Sequence, residues 1–258
     1  GARGRLIHDL GAYALQDVNI PFNSASMMSG PYVLPALSID VTVAATNKTP
    51  VSSVRGAGYP QAAFAMERLI DRVARELRLD RAEVRRRNLI PPEKMPYTKP
   101  LKARSGATMQ YDSGDYPACQ AQVLQAAGWA DFPQRQANAR AQRRYIGIGL
   151  AHGIKGTGRG PFESGLVRVS NTGRVSVFTG AAAIGQGLCT VLAQICAGEL
   201  GLRAEDITVV PGDTGGVSLG LGAFASRQTV TAGSSVLLAA RTVAENAKKL
   251  ASHVLEAA

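Results

Sequence analysis

The chain has 258 residues, 45% of them hydrophobic and 19% charged, enough apolar material for one large domain or two smaller ones and too much for a disordered chain. Its formal net charge of +10, from 29 Lys and Arg against 19 Asp and Glu, makes polyanions a partner class to weigh. No apolar run approaches the roughly 20 residues of a membrane helix, and three cysteines without a CxxC pair argue against zinc, iron–sulfur ligation and a disulfide framework.

The chain opens Gly1-Ala2-Arg3-Gly4-Arg5, without Met or a basic-then-apolar leader, so position 1 reads as a cut within a longer chain. Unpaired cysteines and the missing leader make a reducing compartment, the cytoplasm, the expected location. From Tyr32 to Thr46, Leu37, Ile39, Val41 and Val43 alternate as in a strand, which leads into a loop from Asn47 to Ser53. A helix follows: Pro60 suits its first turn, and Met66, Leu69, Ile70, Val73 and Leu77 recur at helical spacing. Asp80 and Glu83 have capping-box spacing for a short helix ending near Asn88, before Pro91-Pro92. Pro92 to Asp112, rich in Pro, Lys and Thr, reads as an irregular arm, and Asp115 to Gly128 as a helix. Tyr145 to Ile154, Glu163 to Ser170 and Arg174 to Thr179 read as strands, the last two joined by the hairpin signal Asn171-Thr172-Gly173. A helix from about Gln186 to Leu200, a strand from Ile207 to Pro211, a glycine-rich loop to Gly222 and a helix to the chain end complete the order.

That order predicts an α+β fold with mixed or antiparallel sheets packed with helices, rather than a doubly wound one. The charged, apolar-poor stretch between Ala130 and Arg144 is the expected boundary, giving portions 1–135 and 136–258. Arg85-Arg86-Arg87 and the segment from Arg135 to Arg144 raise nucleic acid as a partner. No zinc finger, helix-turn-helix or aromatic-laced basic strand accompanies them, so a solvated face or subunit contact is expected and nucleic acid is not. His8, His152 and His253 lack ligand spacing and read as structural or exposed.

Two glycine-flanked turns open directly into helices: Gly185-Gln186-Gly187, ahead of Thr190, and Gly220 to Thr229, ahead of Gly233. A helix start offers unpaired amides and the positive end of the macrodipole, and glycine lets a ligand approach the backbone. Ser226 and Thr229 add hydroxyls, and Gln186 adds an amide that can pair with a heterocycle edge. Composition alone reads both as ordinary capped helix ends, and neither is a Walker or Rossmann loop. Val54-Arg55-Gly56-Ala57-Gly58-Tyr59-Pro60-Gln61 is a third such start, with an arginine beside it; a solvated turn arginine is the plainer reading.

The run from Val54 to Asn88 resembles the RGAG/RGFG segment of the large subunits of xanthine dehydrogenase/aldehyde oxidase type molybdenum hydroxylases. So do Tyr111 to Pro117, Gly185-Gln186-Gly187 with Thr190, and Ala223 to Gly233, in the family's order and over essentially the whole chain. The resemblance implies a molybdopterin, often as its cytosine dinucleotide, held by helix starts and glycine-rich loops rather than by protein ligands to the metal. Carried over by position, Arg55 and Gly56 would lie at the loop facing the molybdenum and Gln186 would hydrogen-bond the cofactor. Ala225, Ser226 and Thr229 would line its pterin and phosphate end, and Ala57 would face the substrate. The implied partners are the remaining segments of the large subunit and iron–sulfur and flavin (FAD) subunits or domains.

The implied reaction inserts oxygen from water into a C–H bond of an aldehyde or N-heterocycle, with a glutamate as base. That glutamate's Gly-Glu motif has no counterpart here, since Glu163, Glu199 and Glu205 lack it, and the family's earlier Gly-Phe-Gly loop is also missing. Full subunits are several hundred residues longer, so this chain reads as an internal fragment, inactive alone and without bound cofactor; the alternative is a noncatalytic pterin or phosphate-binding module. Ala57 stands where purine oxidisers carry a stacking Phe, and Phe22 to Ser29 offers no match to their upstream arginine. No cysteine lies between Thr46 and Gln61, where carbon monoxide oxidisers carry one, so an aldehyde or small aromatic heterocycle is the expected substrate.

Overall fold

A computed structural model describes residues 1–13, 18–103 and 105–256. Contacts divide the chain into two units, Gly1–Lys155 and Gly156–Ala258, each with its own apolar core. The break falls later than the expected 135/136, because the segment after the charged stretch folds back onto the first unit. There Arg81 Nη2 donates to the Ile148 carbonyl (3.2 Å), Gln136 Nε2 to that of Ile146 (2.9 Å), and His152 Nε2 meets Gln120 Oε1 at 2.9 Å.

In the first unit, β1 (Ala2–Gly11) pairs in parallel with β2 (Leu37–Ala45), in register from Ala2 opposite Leu37. The connection carries α1 (Asn19–Met27). Alternation marks β2, whereas Arg3, Gly4 and Arg5 hide β1. Asn and Ser are poor interior helix residues, so α1 is a product of tertiary contact: Asn23, Ser24 and Ser26 are all buried. α2 (Tyr59–Glu76) starts with Pro60 in its first turn and buries Ala62, Met66 and Ala74. α3 (Arg81–Asn88) is capped by Asp80, whose carboxylate accepts from the Ala82 and Glu83 amides (2.8 and 3.0 Å). Glu83 does not complete a reciprocal box; it pairs with Arg86 and Arg87, whose hydrogen bonds draw its carboxyl down to about 2.

Arg85 is fully buried rather than part of a solvated face. Its Nε donates to Glu67 Oε2 (2.7 Å), its guanidinium lies 2.9 Å from Asp71, and Tyr32 Oη donates to Glu67 Oε1 (2.6 Å). Burial and that carboxylate hold the Tyr32 hydroxyl far above its usual range.

The expected irregular arm from Pro92 to Asp112 is instead largely a β-ribbon of β3 (Tyr97–Lys102) and β4 (Thr108–Tyr111). Its register shifts between Thr98 and Lys102, around Pro100, which has no N–H for a ladder. Arg104 in that arm lies outside the described residues. α4 (Tyr116–Ala127) runs from an Asp115 cap to Gly128 in the left-handed region (φ 59°). α5 (Phe132–Ala141) buries no residue, so it has no apolar stripe to announce it. The expected strand from Tyr145 to Ile154 is not a strand: Gly147, Gly149 and Gly153 interrupt it, and it is fixed by the side-chain contacts above.

In the second unit, β5 (Gly165–Val169) and β6 (Val175–Thr179) form the expected hairpin, and β7 (Ile207–Pro211) adds in parallel beyond β6. α6 (Leu188–Leu200) makes the β6–β7 crossover, and α7 (Gln228–Val254) lies against α6 and β5. Val167, Val175, Val177, Leu192, Cys196, Ile207, Ala232, Val236 and Ala240 form one core. The expected continuation of α7 to the chain end stops short: the helix ends at Val254, with Leu255 as its cap and Glu256 in the left-handed region (φ 50°), and 257–258 lie outside the described residues. The two parallel pairs together with the two antiparallel ones make this a mixed α+β fold.

Candidate cofactor site

The Val54–Gly58 loop owes its shape to α1. Asn23 Nδ2 donates to the Ala57 carbonyl (2.8 Å), and Ser24 Oγ donates to that of Gly58 (2.9 Å) or Ile20 (2.9 Å). Gly58 caps α2 at φ 97°, and a methyl there would overlap the Ile20 carbonyl oxygen and crowd Ser24 Oγ. Only glycine fits that position. Ala57 is itself left-handed (φ 45°) and half-buried, as is Gly56, while Arg55 is exposed and has no ion-pair partner among the described residues. The first-turn amides of α2 therefore follow a rigid loop with a cation at its rim.

In the second unit, Gln186 and the start of α7 are brought together. Gln186 Nε2 donates to Gln228 Oε1, Gln228 Nε2 donates to the Ala182 carbonyl (2.8 Å), and Gln186 Oε1 accepts from the Ile184 amide (2.7 Å). The side-chain carbonyl of Gln186 is thus engaged within the turn, and its amide nitrogen is engaged with Gln228. Ala225 and Ser226 are consecutive left-handed residues (φ 50° and 56°) just before α7, and both are exposed, as is Thr229.

Beneath that turn, Glu163 and Arg227 form a completely buried ion pair (Nη1–Oε2, 2.9 Å). Glu163 also accepts from the amides of Ser164 (3.1 Å), Leu221 (3.2 Å) and Gly222 (2.9 Å). Arg227 donates to the carbonyls of Arg159 (2.8 Å), Gly222 (3.1 Å) and Phe162, and lies over the Phe224 ring. Of the other glutamates near these loops, Glu199 pairs with Arg241 (3.2 Å) and Glu205 with Arg203 (3.6 Å).

Glu163, Arg227, Gln228, Asn23 and Ser24 escaped the sequence reading as contributors to the turns' shape. Their partners lie far along the chain, and the one local signal was the presence of three small polar residues, Asn23, Ser24 and Ser26, in a segment that proved buried. No group of three or more His, Cys, Asp or Glu able to hold a metal ion occurs among the described residues.

The molybdopterin cofactor-binding domain family matches the chain twice, over residues 1–89 and 122–258. The chain belongs to that family. Its fold and its matches place it with the large subunits of the xanthine dehydrogenase/aldehyde oxidase type. It is 39% identical, over its whole length, to the gamma subunit of the 6-hydroxypseudooxynicotine dehydrogenase complex of Paenarthrobacter nicotinovorans, and covers 32% of that protein. It is 34% identical over 99% of its length to the carbon monoxide dehydrogenase large chain of Hydrogenophaga pseudoflava, covering 33% of it. Quinoline 2-oxidoreductase from Pseudomonas putida 86 is a structural neighbour, with TM-score 0.83 and 38% identity over 98% of this chain and 33% of that one. The chain thus spans about a third of the length of the relatives it matches.

The donor set fits a molybdopterin. Gly185, Gly187 and Gly222 are left-handed with open space where a Cβ would stand, and Gln186, Ser226 and Thr229 offer neutral amide and hydroxyl donors. Neutral donors suit a phosphate-bearing heterocycle that brings its metal on its own ligands, and these residues do not form a protein metal cage.

Proposed function

We propose that this chain supplies cofactor-holding turns to a molybdenum hydroxylase that oxidises an aldehyde or aromatic N-heterocycle with water as the oxygen source. The observation that supports the reading is the hydrogen-bonded link from the Gln186 turn to Gln228 in the first turn of α7, which brings the two glycine-bordered helix starts of the second unit together. In this reading Gln186, Ala225, Ser226 and Thr229 hold the pterin and phosphate end, the phosphate facing the α7 amides. In the first unit, Arg55 and Gly56 face the metal side and Ala57 the substrate. The cofactor, when bound, supplies the redox centre; the residues here bind it, orient it and keep its polar edge paired.

Several finer assignments belong to the same reading. The cofactor is molybdopterin cytosine dinucleotide, and electrons leave through iron–sulfur and FAD partners. Turnover needs the rest of the large subunit, because Glu163 is sealed in an ion pair and Glu199 and Glu205 are paired with arginines, leaving none of these three as a base. The substrate class is supported by relatives named for quinoline and nicotine, both aromatic N-heterocycles, and by the small Ala57.

Isothermal titration of the chain with cytidine diphosphate tests the binding step. Saturable binding is expected, too weak for the isolated chain to retain a cofactor through purification and weakened about tenfold further by Ser226→Ala or Thr229→Ala, the worth of one hydrogen bond to a charged group. Absence of heat, or variants that bind like the wild type, would remove the reading's support.

A further inference from the structure

Glu163 is the most completely enclosed carboxylate of the second unit and takes no part in the binding just described. We infer that it is a positioning residue: its carboxylate stands as a built-in anion at the Leu221 and Gly222 amides and, with Arg227, sets the shape of the 220–229 turn before any ligand arrives. The inference rests on the reading of that turn as ligand-binding.

Residues 220–227 belong to no strand or helix, so their amides have no ladder partners and must find others. Two find them on one carboxylate, Leu221 N–H at 3.2 Å and Gly222 N–H at 2.9 Å. These are glycine-loop amides of the kind the sequence marks for an external anion, and they are already satisfied from within. Arg227 ties the same turn from its other end, donating to the Arg159, Phe162 and Gly222 carbonyls as well as to Glu163. The segment 159–163 is therefore fastened to both shoulders of the turn, and between them the left-handed pair Ala225–Ser226 projects outward.

Room for the carboxylate is provided by glycine. A Cβ on Gly180 would stand 2.8 Å from Glu163 Oε1 and would overlap Gly220. A buried ion pair is often no more stabilising than apolar residues of the same volume, so stability alone is a poor account of this one. Selection of a single turn conformation accounts for both the pair and its partners. It also moves the ligand's contacts: the amides at 221–222 are spent, as is that of Arg227 on the Phe224 carbonyl, which leaves an incoming anion the first turn of α7.

Hydrogen exchange on the full chain, without ligand, reads this directly. The Leu221 and Gly222 amides should exchange at least a hundredfold more slowly than those of exposed Ser218 and Leu219 in the same loop. Glu163→Gln, which keeps the shape and loses the charge, should speed exchange at 221–222 and weaken cytidine diphosphate at least tenfold. Exchange in α6 and in residues 232–243 of α7 should stay at the wild-type rate, which a general loss of stability would not leave untouched. Arg227→Lys should reproduce the pattern. Equal exchange at 221–222 and 218–219 in the wild type would overturn the inference, and this comparison decides the matter if the variants do not fold. So would a Glu163→Gln protein with unchanged exchange and affinity. If the wild type binds no cytidine diphosphate while Glu163→Gln still releases the two amides, the binding reading falls and the clamp on the turn stands.

Discussion

Lys99 is buried, yet it faces a helix end rather than a carboxylate: Nζ donates to the Ser26 carbonyl at the end of α1 (2.8 Å) and lies 5.0 Å from the centre of the Tyr111 ring. Those contacts only partly replace water, and burial pushes its pKa down from 10.5 to about 8. Between those values the unfolded chain binds more protons than the fold, so this group makes stability rise as pH rises from about 8 to 10.5. Below about 8 its cost is constant. Relative to Lys99→Met, the wild type should gain up to about 1.4 kcal/mol per pH unit across that window in urea titrations. The buried Tyr32 and Tyr111 hydroxyls, held above their usual range, act oppositely above pH about 10 in both proteins and cancel in the difference. At Gly58 the demand is steric. Gly58→Ala should cost more than about 2 kcal/mol, whereas Gly4→Ala, with open space at its Cβ, should change stability by less than about 1 kcal/mol.

Among elements, the short α3 depends on its cap. Asp80→Ala removes acceptors for two helix amides and for Trp129 Nε1 (3.2 Å), and should lower stability by about 1–2 kcal/mol, read as a shift in the urea midpoint at unchanged slope. Leu192→Ala, in the fully buried face of α6, should cost about 2–5 kcal/mol. The contrast explains what could be read in advance. The elements β2, α2, α3, α4, β5, β6, α6, β7 and α7 declare themselves through local period, Asp caps or glycine stops. By contrast, β1, α1, β3, β4 and α5 do not, because their residues are polar, interrupted by Gly or Pro, or on a helix with no buried side. The stretch 145–154 has the composition of a strand but three glycines and no ladder partner. Of the candidate site, the glycine-bordered helix starts were legible because the glycines and the helical period that follows them are contiguous in the chain. The groups that shape them were not, since Asn23 reaches 34 residues ahead, Gln228 reaches back 46, and Glu163 meets Arg227 across 64.

For the molecule as a whole, the +10 charge predicts retention on heparin or DNA at low salt, independent of base sequence and released by about 0.3 M salt. Discrimination between unrelated duplexes above physiological salt would contradict the assignment of these arginines to structure and surface. Arg85, enclosed by Glu67 and Asp71, already shows that part of this charge is spent inside the fold. Among the described residues no helix is long and apolar enough to cross a membrane. Finally, among the described residues the ribbon of β1 and β2 pairs only with itself, and parallel strands are rarely stable as a lone duo. A two-stranded ribbon has an outer edge on each strand onto which a neighbouring polypeptide can zip, and Ile7 stands 66% exposed on β1, ahead of the Leu10 carbonyl that Val51 N–H already covers. Concentrated preparations will therefore tend to stack strand on strand, and a lysine in place of Ile7 is the simplest way to keep the molecules apart.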